Sequence, residues 1–124
     1  MYKILVVDDE PQIVRVMQRF LIKMGFEVAE ATGGEEAIEL LRSDIKIDLM
    51  IVDLKMPKIS GIEVLSEMNK LNRKQPTIIL TGSIDTTKYL KELKDFGYTI
   101  KDILHKPVDL FALLDLVKNK LQIA

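Results

Sequence analysis

The sequence predicts an α/β fold of five strand–helix units, a doubly wound, five-stranded parallel sheet with helices on both faces. Three observations carry this expectation. Short continuous runs rich in Ile, Val and Leu recur along the chain, stretches with helical spacing lie between them, and turn or capping residues mark the joins. Alternation of this kind is the signature of a parallel sheet whose crossovers are helices.

Ile4 to Val7 is the first run. It is continuous rather than alternating, as suits a strand buried on both faces. Ile13, Val14, Met17, Phe20, Leu21 and Met24 then mark one helical stripe. Pro11 opens it, where a first helical turn accepts proline, and Gly25 closes it. Phe26, Val28 and the alanines around them form a weaker strand. Ala37, Ile38, Leu40 and Leu41 mark the second helix, with Thr32 and Glu35 spaced as a capping box. Leu49 to Val52 is the third strand, and a second capping box, Ser60 with Glu63, precedes the stripe Leu65, Met68, Leu71. Ile78 to Leu80 is the fourth strand, and Leu90, Leu93 and Phe96 mark the fourth helix, ended by Gly97. Ile100 to Leu104, interrupted by Lys101 and Asp102, reads as the fifth strand. Leu110, Leu113, Leu114, Val117 and Leu121 complete the pattern as a fifth helix.

No repeat, low-complexity tract or linker divides the chain, so residues 1–124 read as a single domain. Apolar residues make up 48% and charged residues 30%, a globular rather than disordered balance. No apolar run approaches the roughly 20 residues of a membrane span. The N-terminal MYKILVVDDE turns acidic too early for a signal peptide, so a cytoplasmic location is expected. With no cysteine, disulfides, thiolate metal sites and cysteine nucleophiles are excluded. A net charge of −1 argues against direct nucleic-acid binding, which needs a concentrated basic surface. Lys88, Lys91 and Lys94 recur every third position and read as a solvated helix face, with part of a docking surface as the sharper alternative. The methionines read mostly as core filler, and the single histidine, His105, as structural.

Right-handed crossovers place the C-terminal ends of all the strands on one edge, where such sheets bind ligands. The polar chemistry of this chain converges there. Asp8, Asp9 and Glu10 end the first strand, Asp53 the third, Thr81 the fourth and Lys106 the fifth. Asp8 and Asp53 each end an apolar run, where a lone carboxylate is expensive to bury and a cation is the natural remedy. Hard oxygen ligands in a partly open site suit Mg²⁺. Beside a cation, Asp53 becomes a plausible nucleophile toward phosphorus. Phosphoryl transfer then needs chiefly charge neutralisation, which Mg²⁺, the Lys106 ammonium and the Thr81 hydroxyl can supply. Gly82 leaves room next to Thr81 for an incoming group.

The motifs LVVDDEP at 5–11, IVDLKMPKISG at 51–61, ILTGS at 79–83 and HKP at 105–107, in this order, resemble those of response regulator receiver domains over essentially the whole chain. The resemblance implies a flavodoxin-like fold and a signalling module that catalyses only its own aspartyl phosphorylation and slow dephosphorylation. Asp53 would accept the phosphoryl group from a sensor histidine kinase or a histidine phosphotransfer protein. Asp8, Asp9, Asp53 and the backbone carbonyl of Lys55 would hold Mg²⁺, Thr81 would hydrogen-bond the phosphoryl group, and Lys106 would pair with it. The Lys106–Pro107 bond is expected to be cis, and a phosphorylation-dependent homodimer is one form the output could take.

Two features depart from the family pattern. Where it carries a switch aromatic, Tyr or Phe three residues before the lysine, this chain has Ile103, and the stretch from Thr81 to Lys106 is longer than usual. An isoleucine is stiff about χ1 and has no ring to swing. The expected response is therefore a movement of Thr81 with rearrangement of Ser83 to Thr87 and Gly97 to Ile100. Tyr98 reads as a loop residue packing on the domain, in preference to a substitute switch aromatic. The alternative function is a degenerate receiver that binds partners without phosphorylation. A phosphatase of the haloacid dehalogenase type would need an Asp-x-Asp signature on its first strand, which is missing. A nucleotide-binding domain would need a Gly-rich loop after that strand, also missing.

Overall fold

A computed structural model of the chain describes residues 1–82 and 87–124. The elements run β1 (Lys3–Val7), α1 (Pro11–Lys23), β2 (Glu27–Ala31), α2 (Gly34–Arg42), β3 (Leu49–Asp53), α3 (Gly61–Lys70), β4 (Thr77–Thr81), α4 (Thr87–Asp95), a single 3₁₀ turn (Ile100–Asp102), β5 (Ile103–His105) and α5 (Leu110–Leu121). All strand pairings are parallel, in the order β2-β1-β3-β4-β5. The strand order reverses between β1 and β3, which leaves a crevice at their C-terminal ends.

Two-residue periodicity sends alternate side chains of each strand to opposite faces. Leu5, Val7, Met50, Val52 and Ile79 pack on one face with Ala37, Leu41, Val64, Leu65, Met68 and Leu93 of α2, α3 and α4. Ile4, Val6, Leu49, Ile51, Ile78 and Leu80 pack on the other with Val14, Met17 and Leu21 of α1 and Leu113, Leu114 and Val117 of α5. Both faces of β1, β3 and β4 are thus covered, which is why these strands read as unbroken apolar runs. The edge strand β2 alternates less clearly and is only partly buried. Of the methionines, Met17, Met50, Met56 and Met68 are core residues, whereas Met1 and Met24 face solvent.

The helix signals hold with two corrections. Pro11 is at the first turn of α1, and Gly25 and Gly97 take left-handed φ of 97° and 93° just past α1 and α4. Of the expected Ser60–Glu63 box only one half forms, Ser60 Oγ accepting from the Glu63 backbone N–H at 3.3 Å. The expected Thr32–Glu35 box does not form. Gly33 is the N-cap of α2 and supplies no side chain, while Thr32 Oγ1 donates to Glu36 Oε1 at 2.8 Å instead. Tertiary packing sets that register, because Gly34 lies so close to Ile59 that a Cβ there would fall 2.7 Å from the Ile59 carbonyl oxygen.

The second correction is to the fifth strand, which covers Ile103–His105 rather than Ile100 to Leu104. Ile100 is 72% exposed in the 3₁₀ turn. A local capping box wins here. Thr99 Oγ1 accepts from the Lys101 N–H at 3.2 Å, and Asp102 Oδ2 accepts from the Thr99 N–H at 2.8 Å. Asp102 also pairs with Lys120 of α5.

Tyr98 packs partly buried against the core and hydrogen-bonds Thr77, the first residue of β4. Its hydroxyl is therefore engaged at the opposite end of that strand from Thr81, in keeping with a packing role. Burial holds the Tyr98 phenol above its ordinary range, outweighing the Thr77 hydrogen bond.

Gly61 makes the closest approach to the functional edge. Its N–H donates to the Leu54 carbonyl at 2.9 Å, and a Cβ at this position would fall 2.3 Å from the Asp53 carbonyl oxygen and 2.8 Å from Leu54 Cα. The obstacle is backbone, which cannot swing aside. Gly61→Ala is therefore expected to lower stability by about 1–3 kcal/mol, as overpacking in a tight site does. Urea unfolding checks this, and an unchanged midpoint would contradict the packing account.

Candidate functional site

Backbone hydrogen bonds carry the ladder one step past the strands and so position the site. The Asp8 N–H donates to the Ala31 carbonyl at 3.2 Å, the Leu54 N–H to Leu80 at 3.0 Å, and the Lys106 N–H to Thr81 at 2.8 Å. These bonds register the ends of β1, β3, β4 and β5 against one another. An open cleft of about 400 Å³ lies over them, lined by Asp9, Glu10, Asp53, Lys55, Gly82 and Lys106.

Asp8, Asp53 and Thr81 are buried, at 0%, 3% and 3% exposure. The Lys106 ammonium lies 2.9 Å from Asp8 Oδ2, 3.2 Å from Asp53 Oδ2 and 3.4 Å from Glu10 Oε1. Asp8 Oδ1 accepts from the Glu10 backbone N–H at 3.0 Å. Asp8 Oδ2 is buried and, although close to the ammonium, has no well-directed hydrogen bond. Removal from water pushes the Asp53 carboxyl up from 3.8 to about 6, and the Asp8 charge pushes the same way. The Lys106 charge and hydrogen bond oppose this, as does a hydrogen bond from the Lys55 backbone N–H. For Lys106 burial favours the neutral amine, but Asp8 and Asp53 together outweigh it and push the ammonium up to about 12. The lysine therefore stays charged.

The residues singled out in the sequence meet in space. Asp8, Asp53 and Lys106 are in direct contact, Asp9 and Lys55 line the cleft, and Thr81 is buried at the end of β4 beside them. The Lys106–Pro107 peptide is cis. Ile103 is 8% exposed and packs in the core, paired in register with Ile79. A Cβ at Gly82 would lie 3.9 Å from Lys106 Cδ, an ordinary contact, so the space beside Thr81 does not depend on that glycine. His105 is exposed at the end of β5. Lys91 and Lys94 are exposed on α4, as a solvated face requires, and the Lys88 side chain lies outside what is described. Ser83, and with it most of the Ser83 to Thr87 stretch, lies outside the described residues. Sequence reasoning passed over Glu10 as a partner of Lys106. Its only sequence signal is its place in the Asp8-Asp9-Glu10 run.

The residues present fit a hard divalent cation. Ligand oxygens of Asp8, Asp9 and Glu10 lie within 4.8 Å of one another, and the buried Asp8 Oδ2 lacks a directed donor. Asp8, Glu10 and Asp53 surround the Lys106 ammonium and Asp9 lines the same cleft, so carboxylates outnumber the lysines there, and oxygen-only donors suit Mg²⁺ better than a softer metal.

Among the described residues no helix is long and apolar enough to cross a membrane. The response regulator receiver domain family matches residues 4–118. Response regulator SaeR of Staphylococcus epidermidis is 41% identical over 82 residues, 66% of this chain and 35% of that protein. SaeR of Staphylococcus aureus is 40% identical over the same shares. The chain thus spans about a third of the length of these relatives. Among solved structures, the receiver domain of the Francisella response regulator 1452 superposes with a TM-score of 0.86 at 29% identity, covering 98% of both chains. A receiver domain protein from Clostridium thermocellum does so with a TM-score of 0.85 at 32% identity, covering 98% of this chain and 95% of its own. With strand order, strand-end chemistry and family match in agreement, the chain belongs to the response regulator receiver domains of two-component signal transduction.

Proposed function

We propose that this receiver domain accepts a phosphoryl group on Asp53 from a sensor histidine kinase or a histidine phosphotransfer protein, in a Mg²⁺-dependent reaction, and signals by the conformational change that follows. The observation that carries the reading is the Lys106 ammonium held between two buried carboxylates, Asp8 and Asp53, at the floor of an open cleft. A buried ion pair of this kind is a poor device for stability alone. It is a good one for presenting a carboxylate beside a fixed positive charge.

The chemistry is a direct displacement. An Asp53 carboxylate oxygen forms the new bond to phosphorus as the phosphohistidine P–N bond breaks, and the imidazole leaves with the electron pair. Asp8, Asp9, Asp53 and the Lys55 backbone carbonyl would hold the Mg²⁺. The bound ion would neutralise charge on the phosphoryl oxygens. Lys106 pairs with a phosphoryl oxygen, and the Thr81 hydroxyl, at the end of the neighbouring strand, hydrogen-bonds another. The buried, aliphatic Ile103 has no ring to turn, so the response runs through Thr81 and the loops. Within Gly97 to Ile100, the bonds made by Tyr98 and Thr99 must then loosen or move as a unit. Retention of Asp8, Asp53 and Lys106 in direct contact counts against a degenerate receiver that binds partners without phosphorylation.

Incubation with Mg²⁺ and acetyl phosphate should label the protein at one site, and Asp53→Asn should abolish the label because an amide is not nucleophilic. Intact-mass analysis reads this directly, and a phosphoryl group persisting on the Asn variant refutes the assignment.

The raised pKa of Asp53 makes a second prediction, with its sign set by linkage. The folded, metal-free protein holds a proton on Asp53 up to about pH 6, whereas the unfolded chain releases it near 3.8. Between those values the folded state binds more protons, so stability falls as pH rises and levels off above about pH 6. Asp53→Asn should remove that fall and be the more stable protein above about pH 7, by roughly 1–3 kcal/mol. Urea midpoints measured in EDTA across this range test it, and parallel profiles for the two proteins would contradict it.

A further inference from the structure

An ammonium has three N–H donors and no acceptor. Around Lys106 Nζ stand three carboxylates, Asp8 at 2.9 Å, Asp53 at 3.2 Å and Glu10 at 3.4 Å. The contacts to Glu10 and Asp53 are directed hydrogen bonds, and the contact to Asp8 is a close ion pair. Carboxylates crowd the ammonium on three sides, two of them through directed hydrogen bonds, so a phosphoryl oxygen that closes on it displaces one of them. Asp8 is wholly buried and tied to the Glu10 backbone N–H, so it has nowhere to go. Asp53 is the acceptor itself.

Glu10 differs from both. Its side chain is 59% exposed. Its backbone is fixed independently of where the carboxylate points, because its N–H is bound to Asp8 Oδ1 and its carbonyl accepts from Ile13 and Val14 at the start of α1. As the N-cap of α1, Glu10 makes no capping bond with its side chain. Among the described residues the carboxylate has one partner, Lys106, and can exchange it for water at little cost, since exposed ion pairs are weak.

We infer that Glu10 is a positioning residue for Lys106, a releasable counter-ion that holds the ammonium toward Asp53 until a phosphoryl oxygen displaces it. The inference rests on the phosphoacceptor reading of Asp53. In the resting protein Glu10 competes with the incoming donor for the same ammonium. It thereby sets how much phosphodonor is needed rather than how fast the bound donor reacts.

The test is the rate of autophosphorylation against acetyl phosphate concentration in Glu10→Ala, Glu10→Gln and Glu35→Gln. Glu35 lines a neighbouring cleft beside Asp9 and has no contact with Lys106 among the described residues, so it controls for a general loss of negative charge. Glu10→Ala should lower the half-saturating concentration about two- to fivefold, the range expected for an exposed ion pair, with a smaller change in the saturated rate. Glu10→Gln should fall between wild type and Glu10→Ala, and Glu35→Gln should match wild type. In metal-free protein, with no donor present, the ¹⁵N resonance of the Lys106 ammonium should shift in Glu10→Ala and not in Glu35→Gln.

Three results overturn the inference while leaving the phosphoacceptor reading intact. They are an unchanged half-saturating concentration with an unmoved Lys106 resonance, an equal effect from Glu35→Gln, and weaker Mg²⁺ binding with slower phosphorylation in Glu10→Ala, which would make Glu10 a metal ligand. Labelling that survives Asp53→Asn refutes the parent reading, and this inference with it.

Discussion

The ammonium of Lys106 ties together the ends of three strands. It reaches Asp8 at the end of β1 and Asp53 at the end of β3 from its own place after β5, and both carboxylates are almost completely out of solvent. Two buried like charges at the switch point of a parallel sheet would repel each other strongly in a medium of low polarisability. One cation between them makes the arrangement tolerable without making it comfortable. Asp53 remains well above its ordinary protonation range, and Asp8 keeps a buried oxygen without a directed donor. The edge is thus left with a standing deficit of positive charge. That deficit suits a divalent cation and, after it, a transferred group able to bond with the lysine.

The rest of the fold makes that edge possible. Helices α1 and α5 cover one face of the sheet and α2, α3 and α4 the other, so the central strands have no polar side chain to spare along most of their length. Chemistry is confined to the last residue of a strand, as at Asp53 and Thr81, or the first past it, as at Asp8 and Lys106. Small residues then bring the loops close. Gly61 presses the start of α3 against the backbone of Asp53 and Leu54, and Gly34 presses the start of α2 against Ile59. Asp53 is consequently held by its own strand, by a helix start and by an ammonium, a degree of preorganisation that suits a transfer reaction in which the protein forms few bonds.

The segment from α4 into β5 holds both features that depart from the expected family pattern. It is held by polar bonds. Tyr98 is anchored to the far end of β4, Thr99 and Asp102 close a capping box, and Asp102 is paired with Lys120. This segment therefore connects α5 to β4 through polar bonds at the end of the sheet away from the cleft. At the position of the switch aromatic, Ile103 is simply a core residue. The segment before β5 is thus pinned by polar bonds, and the residue at position 103 is aliphatic and buried.

The amino-acid sequence by itself determined the alternation of elements, the burial of the central strands and the identity of the strand-end residues. Each follows from local rules: unbroken apolar runs, helical stripes and residues placed directly after a run. Asp8, Asp9, Asp53, Thr81 and Lys106 were legible for that reason, and their motifs made the family legible as well. Tertiary structure alone decided what depends on distant partners. Glu10 and Lys106 are far apart in the chain, and nothing local to either shows that they meet. The start of α2 moved from a Thr32 box to Gly33 because Ile59 packs against Gly34, a contact between separate loops. The fifth strand lost its first residues to a turn closed by Thr99 and Asp102 and braced by Lys120, because a satisfied polar box outcompetes a short, exposed edge strand. The raised protonation range of Asp53 is likewise a property of assembly, since it requires burial and the Asp8 charge at once.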